Sequence, residues 1–351
     1  MRVAAYTDSR AVGGAEHALA HLIETLGDRF DVSYIGTDES VGRAIAPGRE
    51  VTIVSPPTGA TPSPRALREH VRVLRAIRPD VLHANLISPF SCQYALAAAI
   101  VLRIPSIAVY QLPNSPANRL QWTLKRLSAR WTTAHVGVGE RTAREIERLI
   151  GLGRGSVLTI HNGVPDLGLP SNDRPSRPPT IGTTGRLTAQ KGFDVLLRAL
   201  VQVPGATLIV VGEGEERGRL EALARKLGIA ARTSFPGWSD EPRRLLADFD
   251  VFALPSRFEG FPLSILEAQL AEVPVVATDV GSVREAVVPD KTGVLVDPGE
   301  PKALAAALDA LVADPERRRR LGRAGREHVL ARFTATHMTR AFERLYAELT
   351  H

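Results

Sequence analysis

The sequence predicts two open α/β lobes, each a doubly wound parallel sheet with helices on both faces. Three observations carry that expectation. Short β-branched apolar runs alternate with longer helical patterns along the whole chain, as they do where parallel strands are joined by crossover helices. The 351 residues, 44% of them hydrophobic, hold enough apolar material for two cores. Between the halves, Pro165 through Pro179 is crowded with Pro, Ser, Asn and Asp and loses its apolar periodicity after Leu169, which marks a linker.

The first half offers strands at Val3–Tyr6, Val32–Ile35, Val51–Val54, Val81–His83, Ser106–Val109 and Val136–Val138. The second repeats the scheme at Thr180–Thr183, Thr207–Val211, Thr233–Phe235, Val251–Ala253, Val275–Ala277 and Gly293–Val296. These set a first domain at 1–168, a linker at 169–179 and a second domain at 180–331. A final helical segment, 332–351, carries apolar spacing at Phe333, Met338, Phe342, Leu345 and Leu349. The run Arg317–Arg320, beside Asp314 and Glu316, reads as a solvated helix face.

Composition excludes several classes. MRVAAYTDSR turns polar at Asp8 and lacks the apolar stretch and cleavage site of a secretory signal, so it reads as a first strand. The longest apolar run, Ala95 to Leu102, stops at Arg103 and Pro105, far short of the ~20 residues a membrane span needs. A single cysteine, Cys92, permits no internal disulfide framework and no Cys-based zinc site, which favours a reducing, cytoplasmic setting. Of the net charge of +6, most sits in residues 1–170, with 19 Lys and Arg against 14 Asp and Glu. Without an aromatic-basic signature or a zinc finger, that excess points away from nucleic acid and toward an anionic lipid or substrate.

Three constellations can carry chemistry. Glu259-Gly-Phe-Pro-Leu-Ser-Ile-Leu-Glu267 follows a buried strand and the turn Pro255-Ser256. Strand, glycine-containing turn and helix aim backbone N–H groups and the positive helix end at a phosphate. Were both glutamates helical, they would stand about 12 Å apart along the axis, at 1.5 Å per residue, and could bracket an elongated ligand but not share an atom. The plain alternative makes Glu259 a helix cap and Glu267 a solvated residue. Gly185-Arg186-Leu-Thr-Ala-Gln-Lys191-Gly192 closes the strand that opens the second lobe. Ligands of open α/β sheets bind outside the carboxyl ends of strands, where an Arg and a Lys can offset a diphosphate. Only five lysines accompany 39 arginines, so a lysine at 191 suggests that a compact ammonium is wanted, although a surface turn would also tolerate it. Third, Gly13-Gly14-Ala-Glu16 closes the first strand and opens the first helix, leaving room for a ligand against the backbone at Gly14. It lacks the third glycine of the dinucleotide fingerprint, so NAD fits poorly.

In this order, these pieces resemble the retaining glycosyltransferases of family four. The resemblance rests on Gly13-Gly14, Pro79-Asp-Val-Leu-His83, His161-Asn-Gly-Val164, Gly185-Arg186-Leu187 with Lys191-Gly192, Val211-Gly-Glu-Gly214, Leu254-Pro-Ser256, Glu259-x7-Glu267 and Pro274-Val-Val-Ala277, and runs through the whole chain. It implies a GT-B architecture: two Rossmann-like lobes facing a cleft, acceptor on the first and donor on the second, with the last helix crossing back to the first lobe. It implies that Arg186 and Lys191 bind the diphosphate of a nucleotide-sugar donor as leaving group, Glu259 the transferred sugar and Glu267 the ribose. Backbone amides at Gly260, Phe261 and Leu263 would complete the phosphate site. No cofactor or metal is implied, because cations and the helix end supply the electrostatic stabilisation; Asp248-Phe-Asp250, which spells a metal-binding D-x-D string, is read as structural. The acceptor would be a glycan, a lipid-linked sugar or a small molecule.

Two departures fall on the acceptor side. Many relatives carry a histidine where this chain has Gln111, which hydrogen-bonds but does not titrate, and often a serine where it has Gly139. A same-fold epimerase or phosphorylase would keep the basic diphosphate site, although nothing marks a pyridoxal-phosphate lysine; a non-catalytic nucleotide-sugar or glycan binder would not need the intact Glu259, Arg186 and Lys191. Between residues 119 and 131, Leu120, Leu124, Leu127 and Trp131 form one helical stripe beside Arg119, Lys125, Arg126 and Arg130. That stripe faces either the domain core, with the charges solvated, or an anionic membrane surface, making the enzyme peripheral at the inner face of the membrane.

Overall fold

The computed structural model describes residues 1–54, 63–113, 119–168, 178–239 and 242–350. They form two compact units, residues 1–163 with 335–351, and residues 164–334. Most of the expected linker, residues 169–177, lies outside the described residues.

In chain order the first unit holds β1 (Arg2–Thr7), α1 (Gly14–Thr25), β2 (Asp31–Gly36), α2 (Glu39–Ile45), β3 (Glu50–Ile53), α3 (Pro64–Ile77), β4 (Val81–Leu86), α4 (Gln93–Leu102), β5 (Ser106–Tyr110), α5 (Arg119–Ala129), β6 (Ala134–Gly137), α6 (Glu140–Ile150) and β7 (Val157–Thr159). Its seven strands are all parallel, in the order β3-β2-β1-β4-β5-β6-β7. The chain builds outward from β1 to one edge, then returns beside β1 and builds to the other. Right-handed crossovers therefore put α1 and α2 on one face and α3 to α6 on the opposite face. The central strand β4 is buried at every residue, including its polar His83 and Asn85.

The second unit holds β8 (Thr180–Thr184), α7 (Phe193–Leu200), β9 (Thr207–Val211), α8 (Arg217–Lys226), β10 (Thr233–Gly237), α9 (Pro242–Leu245), β11 (Val251–Leu254), α10 (Leu263–Leu270), β12 (Val275–Thr278), α11 (Val283–Ala286), β13 (Gly293–Val296), α12 (Pro301–Ala313) and α13 (Pro315–Arg332). Its parallel order is β10-β9-β8-β11-β12-β13, so β8 and β11, far apart in sequence, lie side by side where the winding reverses. A core of Leu196, Leu197, Leu208, Val210, Val251, Leu304 and Leu308 fills the space between this sheet and α7 and α12. Each such side chain, taken fully out of water, contributes about 1.5–3 kcal/mol.

The chain then returns to the first unit as α14 (Ala335–Thr350), which packs on α1 and β4. Met338, Phe342, Leu345 and Tyr346 are buried there, and the Tyr346 hydroxyl lies 2.7 Å from His83 Nδ1. Phe333 is a correction to the expected stripe: it follows α13 in the second unit, its ring packed on Phe261 and His328. A second correction concerns Arg317–Arg320. Arg318 is not a solvated residue; it caps the C-terminus of α12 through the carbonyls of Leu311 and Val312 and stands 3.7 Å from the buried Asp250.

Candidate functional site

The strongest site lies in the second unit, at the carboxyl ends of β8 and β11. In an open α/β sheet the loops flanking such a reversal diverge and leave a crevice, where ligands settle. The loop after β8 carries Arg186 and Lys191; the loop after β11 carries Glu259. Strand order thus brings together two constellations that are 68 residues apart in sequence.

Each loop is held from within. Buried Leu187 anchors the first, its N–H donating to the Glu213 carbonyl at 2.8 Å, so that Arg186 beside it projects to the surface. A short 3-10 turn, Ala189–Lys191, then leads into α7 through Gly192. Gly192 has φ +66°, and a Cβ there would stand 2.1 Å from the Pro255 carbonyl oxygen, so only glycine lets the two loops approach this closely. Staples complete the junction. The Arg257 N–H donates to the Gln190 carbonyl, its guanidinium pairs bidentately with Asp194 at 2.9 Å and also reaches the Ala189 carbonyl, and the Gln190 amide donates to the Phe258 carbonyl.

At the junction the Lys191 ammonium donates to Glu259 Oε1 at 2.7 Å, and the Ser256 hydroxyl donates to the same oxygen at 2.6 Å. Glu259 is 6% exposed. It is neither helical nor a helix cap, which corrects both readings that placed it on the helix: α10 starts only at Leu263, behind Pro262. Only Glu267 is helical, half-buried at the fifth position of α10. Gly260 and Phe261 are buried in the turn, and Leu263 opens the helix. Pro262 provides no side-chain cap, which leaves the first-turn N–H groups of α10 without the oxygen a Ser or Asp cap would supply. The Arg186 guanidinium makes no hydrogen bond or ion pair to any described residue, and its backbone carbonyl accepts the Thr188 N–H at 2.8 Å. The arrangement gathers a buried carboxylate, a partnered ammonium, a surface guanidinium and a helix start, the chemical complement of a polyhydroxyl group joined to phosphates.

Asp250 sits apart from this site. Its carboxylate accepts the Thr180 N–H at 2.8 Å and faces Arg318, whereas Asp248 is exposed at the end of a 3-10 turn. The two aspartates do not converge.

In the first unit, α1 starts at Gly14 behind Gly13, whose N–H donates to the Glu16 carboxylate at 3.0 Å. Gly14 is exposed, with no described atom within 4 Å of where a Cβ would stand. Gln111 follows β5 and is buried. Its amide donates to Asn85 Oδ1 at 2.8 Å and accepts from Asn162 Nδ2 at 2.9 Å, while the Asn85 amide donates to the Ala15 carbonyl at 3.0 Å. Sequence reasoning named Gln111 and missed Asn85 and Asn162; Asn162 stood in a quoted motif, but nothing local linked it to Gln111. Gly139 is the N-cap of α6 and has no side chain to cap with.

The core-facing version of the α5 stripe is corrected, and the surface-facing version loses Lys125. Lys125 is neither solvated nor surface-facing: it is 2% exposed, its ammonium sits over the Tyr110 ring, and burial pulls its pKa down to about 8. Leu127 and Trp131 do not face the core, being 53% and 71% exposed. The side chains of Arg119, Leu120 and Leu124 lie outside the described ones.

Two α/β lobes, each wound around its own switch point, are the building blocks of the GT-B class, and solved structures share the fold. HepE of Anabaena, crystallised with UDP and glucose, superposes with a TM-score of 0.87 over 99% of this chain and 100% of that one, at 22% identity. Sucrose-phosphate synthase of Thermosynechococcus elongatus gives 0.81 over 99% of both chains, at 21% identity. Residues 12–166 match the family model described as Glycosyltransferase Family 4, and residues 169–328 the one described as Glycosyl transferases group 1. The chain is 32% identical to the GDP-mannose-dependent alpha-mannosyltransferase of Mycolicibacterium smegmatis over 80% of this chain and 75% of that protein. It is 35% identical to the lipopolysaccharide core biosynthesis glycosyltransferase LpsE of Rhizobium meliloti, over half of this chain and 52% of LpsE. The match to glycogen synthase of Mycobacterium tuberculosis, at 30% identity, spans 66% of that protein. The chain belongs to glycosyltransferase family 4.

Proposed function

We propose that this chain is an enzyme that transfers a hexosyl group from a nucleoside-diphosphate sugar to an acceptor hydroxyl, with retention of anomeric configuration. The observation that carries the reading is the Lys191–Glu259–Ser256 cluster at the β8/β11 reversal. In the resting state Lys191 and Glu259 satisfy each other. On donor binding the diphosphate, with Arg186, draws the ammonium away, and Glu259 is left to hold the sugar hydroxyls. Arg186, Lys191, the α10 start and the amides of Gly260, Phe261 and Leu263 then stabilise the departing diphosphate without a metal, while Glu267 grips the ribose. The relatives' names favour GDP-mannose and UDP-glucose as first donors to test.

On the acceptor side we infer a glycan, a lipid-linked sugar or a small molecule received by the basic first unit, with Gly14 leaving the α1 N-terminus open to it. Exposed Leu127 and Trp131 beside Arg126 and Arg130 support a peripheral place at an anionic membrane, on its cytoplasmic side. A thermal-shift series with UDP-, GDP- and ADP-sugars tests the donor reading. A native-state ligand at 100 times its Kd stabilises by about 2.7 kcal/mol, and a flat response to every nucleotide sugar would sink it.

A further inference from the structure

We propose that helices α3 and α4 of the first unit form a docking surface for an anionic lipid bilayer, distinct from α5. Arg65, Arg68, Arg72 and Arg75 recur at helical spacing along one exposed face of α3, opposite the face that buries Ala66, His70 and Leu74. Other helices of this protein pair such arginines with their own carboxylates: Arg141 with Glu145 and Arg144 with Glu147 on α6, Arg217 with Glu221 on α8, Arg319 with Glu316 on α13. The four guanidinium groups of α3 have no hydrogen bond or ion pair to any described residue, and Glu69 is the only acid on the helix. Like charges three and four residues apart destabilise a helix, so this row calls for an external anion.

The surroundings select the kind of anion. Arg68, Arg72 and Arg75 rim a groove of about 440 Å³ floored by Leu67, Val71 and Val101, and Val101, near the end of α4, is 60% exposed. Nucleic acid would ask for polar or aromatic readers, and the groove offers aliphatic ones. A bilayer supplies both halves: phosphates for the guanidinium forks, and glycerol and acyl carbons for the apolar floor, with the arginine stems lying across it. Sheet order puts α3, α4 and α5 on the same face of the first unit, so the exposed Leu127 and Trp131 extend the same layer. The proposal shares with the α5 reading only the kind of partner, and each surface is tested by its own variant.

Flotation of the whole protein with vesicles of phosphatidylglycerol in phosphatidylcholine, against pure phosphatidylcholine, decides the matter. Wild type is expected to float with the anionic vesicles, less as salt rises, and not with the neutral ones. The variant R68Q/R72Q/R75Q keeps the stems and the helix propensity; at about fivefold per arginine it should bind about 100-fold more weakly. Unchanged circular dichroism and UDP or GDP binding would show it folded. Wild-type flotation by this variant overturns the proposal, even if R126Q/W131A then fails to float and α5 proves to be the sole contact. Absence of wild-type binding at low salt overturns it too, as does tighter binding to a DNA duplex than to the vesicles.

Discussion

Replacing Lys191 with Met removes the ammonium and keeps most of the apolar stem, leaving the Glu259 carboxylate in a site that is 6% exposed with only the Ser256 hydroxyl as a side-chain donor. Breaking a buried pair by removing one partner destabilises by about 3–5 kcal/mol. The 18% exposure of the Lys191 side chain and the surviving Ser256 bond put the effect at the low end of that range, about 3 kcal/mol. For a unit the size of residues 164–334, 1 kcal/mol corresponds to roughly 2–4 °C in Tm, so the second unit should melt roughly 6–12 °C lower. Adding Glu259→Gln, which removes the stranded charge, should restore most of that loss, and the double-mutant cycle measures the coupling. Scanning calorimetry without ligand, followed by titration with UDP and GDP, reads both sides of the argument. Lys191→Met should weaken diphosphate binding. Glu259→Gln alone frees Lys191 from its resting partner and should leave that binding as strong or stronger, while transfer is lost. A Lys191→Met protein that melts within a degree of wild type, or a Glu259→Gln protein that loses the diphosphate, would refute the resting-pair argument.

Four further outcomes are expected. Glu267→Ala should weaken nucleotide binding in calorimetric titration more than Glu259→Gln does, and equal losses would contradict the separate roles. Transfer assayed with excess EDTA should match the untreated rate; loss of activity restored by manganese or magnesium would return Asp248 and Asp250 to the site. The first unit should lose stability as pH falls from about 6.5 toward 3–4: burial depresses the folded-state pKa of His83 to about 3 and of His135 to about 4, below the unfolded value, so the unfolded chain takes up protons that the native state refuses. An acid melt in which this unit is flat between pH 6.5 and 4 would contradict it. Gln111→Leu, which cuts the links to both Asn85 and Asn162, should lower kcat more than it raises the donor KM, and Gln111→Asn, too short to span both partners, should not rescue it.

Strands were legible because short runs of apolar or β-branched residues stand between the longer helical patterns, and twelve of the thirteen stood out so. The exception, β7, is three residues long at the sheet edge, and Val157-Leu158-Thr159 after a glycine-rich turn carries no period to read. Side-chain direction was harder. Lys125 occupies a helical position that polarity assigns to solvent, yet a four-carbon stem reaches inward to the Tyr110 ring, and sequence does not encode that choice. Glu259 shows the same gap: its spacing to Glu267 was visible, but its partner Lys191 comes from the neighbouring strand, and only the sheet order β8-β11 makes them adjacent. The Arg257 staple was invisible for the same reason, since Asp194 and Ala189 lie across that boundary.

The amide chain in the first unit shows what the departure at Gln111 does. A neutral histidine offers one donor and one acceptor about a rigid ring, and becomes a cation when it gains a proton; a glutamine offers a donor and an acceptor at any pH. Here both are used in one direction: Asn162 donates to Gln111, Gln111 to Asn85, and Asn85 to the Ala15 carbonyl. The chain runs from the loop after β7, across the ends of β5 and β4, to the first turn of α1, and so ties four separate elements at the carboxyl edge of the sheet into one uncharged unit. Ala15 follows Gly14, the residue whose backbone is open, so the amide chain and the Glu16 carboxylate that accepts the Gly13 N–H together set the geometry of that turn. Deleting the middle link leaves two buried amide groups short of a partner, each worth about 1–3 kcal/mol of desolvation, and the nearest relief is for the Gly14 turn and the Asn162 loop to move. The Gln111 position therefore acts through the placement of its neighbours, and a pH–rate profile of the wild-type enzyme should show no ionisation belonging to it.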